Sequence, residues 1–365
     1  MFCRAIGARH RRACLAEHSR SFVSDDGRRE ALSQFFQLVE TRFGNIKSLM
    51  DEGSAAETIV SDELRPEHLA RLLAHDATAL HVRNFYERGT AIRIGNDLIE
   101  ESVHNTNNWR VSTSRGLESS DVGTLGMHSP FNVATAKARQ LNQGEGIDPV
   151  NEYFEGVQAE FKIRRRMPAS ARETGQYYQF WPLDKLRLEL EESWPSGAGL
   201  AREEATKSAD KPYPRPFGGG LPRIMKGPTR WKRGFIHVDE LGPLDPFRGL
   251  FSANIYLKMP EIGDAKKSPE DAGSLYVWPL GVRSRLDWYR NAVTMSSLSA
   301  QDAASQVDLW HSLGQPNVIR PEPGDLVMLC TQRPHCAVGF GTGTRVSLQC
   351  FIQFDGPDKR LLIDC

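Results

Sequence analysis

At 365 residues the chain is long enough to bury a substantial core, as one large domain or two small ones. Its 46 Lys and Arg balance 46 Asp and Glu, which argues against a nucleic-acid footprint, because that needs a basic excess or stripe. No apolar run approaches the roughly 18 residues of a membrane span, so a soluble, intracellular, cytoplasmic protein with a small-molecule partner is expected. Six cysteines (Cys3, Cys14, Cys330, Cys336, Cys350 and Cys365) form no Cys-X-X-Cys pair. They are too scattered for a zinc site and too few for a disulfide scaffold, and they read as free thiols in a reducing compartment.

The first 24 residues carry Arg4, Arg9, Arg11, Arg12 and Arg20 against a single acid, Glu17. Arginine-rich, acid-poor composition marks residues 1–25 as either an organelle-targeting segment or a disordered tail. From Arg28 to Met50, Leu32, Phe35, Phe36, Val39, Phe43 and Ile46 recur at the spacing of an amphipathic helix. Pro66 followed by Leu69, Leu72 and Leu73 predicts a second helix, and residues 79–86 predict a strand. Residues 104–130 are polar and irregular, the composition of a binding loop, with Trp109 and Arg110 as candidates to face a substrate or simply to pack at the surface. His104 and His128 lack a carboxylate at ligand spacing and read as ordinary polar residues. Tyr153–Met167 is open between helix and strand, and its Arg164-Arg165-Arg166 run reads as a solvated face. Leu183, Leu186, Leu190 and Trp194 after Pro182 predict a short helix. Residues 196–222, rich in Gly and Pro, predict no regular element and read as a mobile flap in preference to an interdomain linker.

From Trp231 the pattern changes to strand, turn, strand. Gly234-Phe235-Ile236-His237-Val238-Asp239 contains the only His-X-Asp of the chain, and residues two apart on an extended strand share a face. Residues 251–259 alternate, placing Ser252, Asn254 and Tyr256 together. Residues 273–279 and 326–330 predict further strands, the latter after the Pro323-Gly324-Asp325 turn, while 286–313 reads as helical or irregular. Arg333-Pro334-His335-Cys336 leads to a last alternating run, in which Arg345, Ser347 and Gln349 face one way and Val346, Leu348 and Cys350 the other. Cys336, adjacent to His335, should point to the opposite face and pack. His311 is a rival to His335, but its Asp-Leu-Trp-His-Ser surroundings are not those of a strand.

An imidazole and a carboxylate at His237 and Asp239, a second imidazole at His335, and Arg345-X-Ser347 ten residues on together resemble the Fe(II)/2-oxoglutarate-dependent oxygenases. The resemblance implies a mixed α+β chain with a double-stranded β-helix (jelly-roll) core, mainly residues 223–360, and a helical and loop flank over 26–222, in a single domain 26–365. It implies Fe(II) held by His237, Asp239 and His335 as a facial triad, with 2-oxoglutarate as cosubstrate and O2 as co-reactant. Arg345 and Ser347 would grip the distal carboxylate, the planar guanidinium meeting it with two parallel hydrogen bonds. Asn254 and Tyr256 either reach the cosubstrate or pack in the barrel. The implied reaction is oxidation of a C–H bond of a small polar metabolite, such as an amino acid derivative, with release of succinate and CO2. Hydroxylation, desaturation and oxidative cyclisation such as kainoid ring closure all stay open. A protein hydroxylase and a non-catalytic jelly-roll binding protein are the alternatives.

Overall fold

The computed structural model describes residues 56–365 apart from 108–109, 114–115, 141–147, 167–179, 204–212, 241, 261–270 and several between 285 and 302. Of the earlier chain it describes only Glu30, Gln34, Phe35, Gln37, Leu38, Thr41 and Arg42, all helical and exposed. The rest of the expected 28–50 helix, and residues 1–25, lie outside the described residues.

In chain order come β1 (Thr58–Ser61), α1 (Pro66–Leu73), β2 (Ala79–Val82), α2 (Arg88–Asn105), β3 (Arg110–Thr113), β4 (Gly116–Ser119) and β5 (Val122–Thr124). Next are α3 (Phe131–Gln140), α4 (Pro149–Arg166), α5 (Pro182–Ser193), β6 (Ala198–Leu200), β7 (Leu221–Lys226), β8 (Gly249–Lys258) and β9 (Leu275–Val277). The chain closes with α6 (Ala303–Ser312), β10 (Asn317–Ile319), β11 (Leu326–Cys330), β12 (His335–Ala337), β13 (Thr344–Phe354) and β14 (Leu361–Asp364).

Local chemistry accounts for the helix starts. Pro66 and Pro182 occupy first-turn positions, where a missing N–H costs nothing. The Glu87 carboxylate accepts from the backbone N–H of Gly89 and Thr90 at 2.7 and 2.6 Å and so caps α2. Burial of Leu69, Leu72 and Leu73 fixes α1 against the sheet, at roughly 2 kcal/mol for each leucine.

Nine strands form one sheet in the order β1-β2-β11-β8-β13-β14-β6, with β7 also on β13 and β5 on β7. Pairing is antiparallel except for β1 with β2 and β14 with β6. A second sheet has the order β10-β9-β12. Alternation along β8, β11 and β13 gives the large sheet two unlike faces. One face, with Ile255, Leu257, Met328, Leu348 and Ile352, packs against α1 and α5 in the main apolar core. From the other, Tyr256, Val327 and Leu329 meet Leu275, Val277 and Ile319 of the small sheet. The far side of the small sheet carries Trp278 and Cys336, which pack on Leu309 of α6.

Several expectations need correction. Residues 104–130 are not a long irregular loop: α2 runs to Asn105, and β3, β4 and β5 follow. Their polar side chains hid short strands whose stability comes from pairing, which local composition does not report. The segment 153–167, left open between helix and strand, is the body of α4 as far as Arg166, and residue 167 lies outside the described residues. Residues 196–222 do hold regular structure, because β6 joins the edge of the large sheet beside β14, and β7 already begins at Leu221. The amino-terminal flank is also more than helix and loop, since β1, β2, β5 and β6 belong to the same sheet as β8 and β13. Among the described residues no helix is long and apolar enough to cross a membrane.

Candidate metal centre

The segment expected to be the metal strand is an edge strand reduced to one bridge. His237 and His335 exchange both backbone hydrogen bonds, His237 N–H to His335 O and His335 N–H to His237 O, each 3.0 Å. The Asp239 N–H then donates to Thr331 O at 3.0 Å. Gly234 permits this approach: it sits at φ +85°, and a Cβ there would lie 2.6 Å from both Ala337 O and Cys336 Sγ.

The pairing sets both imidazoles side by side, with ring centroids 4.4 Å apart. Each ring hydrogen-bonds through Nδ1 to the carbonyl two residues earlier, His237 to Phe235 O and His335 to Arg333 O, both at 2.9 Å. A carbonyl can only accept, so each ring carries a proton on Nδ1 and turns its Nε2 inward. The two Nε2 atoms stand 3.8 and 3.7 Å from the Asp239 carboxylate oxygens, too far for hydrogen bonds. All three ligand atoms lie within 4.8 Å of one another. Burial, followed by the neighbouring His237, pushes the His335 imidazole down to about 4 against the pull of Asp239, so the ring is neutral near pH 7. Three ligand atoms thus converge within the span that one divalent transition ion can bridge, and this donor set fits Fe(II).

Across the interior, the inner face of the large sheet carries the other predicted residues. Ser347 pairs with Tyr256, Gln349 with Asn254 and Arg345 with Met225 of β7, and directly paired residues share a face. A register shift between Val346 and Ser347 bends β13 next to the guanidinium. One terminal nitrogen of Arg345 contacts Met225 Sδ at 2.7 Å, while its buried Nη1 has no partner. Among the described residues no carboxylate pairs with Arg345, and burial holds its guanidinium below the usual arginine range. Burial likewise raises the Tyr256 hydroxyl, while the nearby Arg345 charge pulls it the other way. Among the described residues, Asn254 Nδ2 reaches Ser252 Oγ, at 3.4 Å.

Of the remaining candidates, His311 and Cys336 fall outside this interior. His311 is exposed in the last turn of α6, away from the three convergent ligand atoms. Cys336 is fully buried among Ile236, Trp278 and Leu309, on the far side of the small sheet from the imidazoles, as alternation required. Trp109 lies outside the described residues, and Arg110 opens β3. His104 is exposed, and His128 is buried, with Nδ1 3.0 Å from Ser129 O and Nε2 3.4 Å from Glu160.

Three residues around the centre escaped the sequence reading. Gln349 lies on the inner face, nine-tenths buried, with an unpartnered Oε1; the period-two pattern from Arg345 already pointed to it. Arg333 is fully buried and donates to Pro279 O and His75 O at 2.7 and 2.8 Å. Gln306 reaches the metal segment from α6. No local signal marks these last two.

No protein-family model matches the sequence, and no curated protein matches it. Solved structures similar to it include a prolyl-4-hydroxylase from Pseudomonas putida, 14% identical over 79% of this chain and 98% of its own, with a TM-score of 0.33. An N-substituted L-amino acid dioxygenase from Burkholderia ambifaria is 15% identical over 72% of this chain and 99% of its own, with a TM-score of 0.33. A 2OG-Fe(II) oxygenase family oxidoreductase from Burkholderia pseudomallei is 10% identical over 84% of this chain and 99% of its own, with a TM-score of 0.36.

Proposed function

We propose that this chain is a non-haem Fe(II)/2-oxoglutarate-dependent oxygenase that oxidises a C–H bond of a small polar metabolite. The observation that carries the reading is a pair of complementary vacant valences inside one fold. The small sheet and its edge segment offer three convergent ligand atoms. The facing sheet offers a buried guanidinium with an unpaired nitrogen and, among the described residues, no carboxylate partner. A buried charge of that kind costs several kcal/mol unless something pairs with it. A divalent cation and a dicarboxylate satisfy both at once.

In this reading His237, Asp239 and His335 hold Fe(II), and Arg345 with Ser347 holds the distal carboxylate of 2-oxoglutarate. Asn254 and Tyr256 border that carboxylate from β8. When bound, the iron and 2-oxoglutarate supply the activation of O2 and the oxidation of the C–H bond, with succinate and CO2 released. The protein's own contribution is orientation and exclusion of water. The i−2 carbonyls fix the imidazole tautomers, Tyr256 and Val277 close the interior beside the site, and Met225 supports the guanidinium. The Asp239 carboxylate occupies the position that halogenating relatives leave open for halide, so oxygenation is the chemistry proposed. The two facing sheets support a jelly-roll core, and the strands of the flank within the large sheet support a single domain over 26–365. The polar inner face, with Asn254 and Gln349, suits a polar substrate such as an amino acid derivative.

The test is Fe(II)-dependent succinate formation from 2-oxoglutarate, expected in the wild type and lost in His237→Ala and His335→Ala. A metabolite panel read by mass change, +16 for hydroxylation and −2 for desaturation or ring closure, then identifies the reaction. Turnover unchanged in both Asp239→Ala and Arg345→Ala would overturn the assignment of roles.

A further inference from the structure

The metal-binding segment is an edge strand, and an edge strand leaves alternate backbone groups without partners. His237 turns its N–H and C=O toward β12. Ile236, one residue earlier, turns both of its groups the opposite way, where, among the described residues, the small sheet has no further strand. That place is taken by a side chain. Gln306, buried in the first turns of α6, accepts from the Ile236 N–H through Oε1 at 2.7 Å and donates from Nε2 to Ile236 O at 3.2 Å. A carboxamide is the one side-chain group that can supply both an acceptor and a donor in this arrangement while remaining uncharged. It reproduces the two bonds that a neighbouring antiparallel strand would make.

The anchored N–H belongs to the Phe235–Ile236 peptide. The carbonyl of that same rigid plane is Phe235 O, which accepts from His237 Nδ1 at 2.9 Å. Gln306 therefore fixes one end of a planar group whose other end orients the imidazole. We propose that Gln306 is a positioning residue for the metal centre, acting through the Phe235–Ile236 peptide plane to keep the proton of His237 on Nδ1 and its Nε2 aimed at the ion.

This rests on His237 being a metal ligand, so the test separates the two claims. In metal-free wild-type protein, 15N spectra of labelled histidine should show His237 as the Nδ1–H tautomer. In Gln306→Met, which keeps the length of the side chain and removes both bonds, the two tautomers should mix. Co(II) serves as the spectroscopic probe of the metal site. Its affinity should fall by roughly tenfold or more in Gln306→Met, the range typical of residues that hold a ligand in place, and its visible bands should shift. Leu309→Ala, in the same core cluster one turn along α6, is the control: it should lower the melting temperature at least as far and leave Co(II) affinity within about twofold of wild type. If Gln306→Met does not fold, Gln306→Asn carries the test, because it withdraws the carboxamide by one methylene and should give the same tautomer mixing and Co(II) loss. An unchanged tautomer and unchanged Co(II) affinity in either variant would overturn the proposal. So would a loss of Co(II) binding in Leu309→Ala as large as in the Gln306 variants. Failure of the wild type itself to bind Co(II), with the tautomer effect intact, would instead overturn the metal reading and leave the clamp standing.

Discussion

Replacing Arg345 by Met should make the protein more stable and less able to bind 2-oxoglutarate, its proposed cosubstrate. Met has nearly the length and volume of the arginine stem, so little packing is lost. What disappears is a buried cation whose Nη1 has no partner and whose Nη2 rests on a thioether. Exchanging a buried charge for an apolar group of similar size is typically neutral to stabilising by about 1–4 kcal/mol. Taking the lower half of that range, the melting temperature without ligand should rise by roughly 2–10 °C, at about 2–4 °C per kcal/mol. Loss of a buried, hydrogen-bonded charge pair costs about 2–5 kcal/mol of binding, so 2-oxoglutarate affinity should fall between about 30-fold and a few thousand-fold. Anaerobic thermal melts with Co(II) and a 2-oxoglutarate titration read both numbers in one experiment. Saturation at 100 times Kd adds about 2.7 kcal/mol to wild type, and the same ligand concentration should add about 0.9 kcal/mol or less to the variant. A variant that melts below wild type and keeps the ligand-induced shift would refute the reasoning, because the guanidinium would then be structural.

Asp325→Asn should destabilise at neutral pH. Burial pushes this carboxyl up, but hydrogen bonds from the His81 ring at 2.7 Å and from the Glu322 and Asn84 N–H groups outweigh it and hold the group below its ordinary value of 3.8. A depressed carboxyl contributes stability above its unfolded value and loses it as the pH falls through the folded one. The gap between wild type and variant in urea melts should therefore be full at pH 6 and close below about pH 4; a pH-independent gap would refute the assignment. Gly324→Ala should cost roughly 2–4 kcal/mol, because the residue sits at φ +100° and its Cβ would lie 2.4 Å from Tyr86 O; an unchanged chemical-denaturation midpoint would count against it. Burial raises the thiols of Cys330 to about 11 and Cys365 to about 12, and those of Cys336 and Cys350 higher still. These four should resist thiol reagents at pH 8 until the protein unfolds, read by mass spectrometry of labelled peptides; fast labelling of any of them in the native state would contradict the packing.

The sequence alone determined what short-range periodicity can encode. His237 and Asp239 had to share a face because a strand repeats every two residues, and the same rule set Arg345 beside Ser347 and turned Cys336 away from His335. Leu69, Leu72 and Leu73 marked α1 because a helix repeats every 3.6 residues. The tertiary structure decided how such pieces meet. β3 to β6 went unseen because a strand of three or four residues is stable only against a partner, and that partner lies elsewhere in the chain. The bridge between His237 and His335, the covered and unpaired Arg345 Nη1 and the carboxamide of Gln306 on Ile236 are relations between distant segments. Local composition carries no trace of them, because the energy that selects them arises only once the sheets close and exclude water from the groups between them.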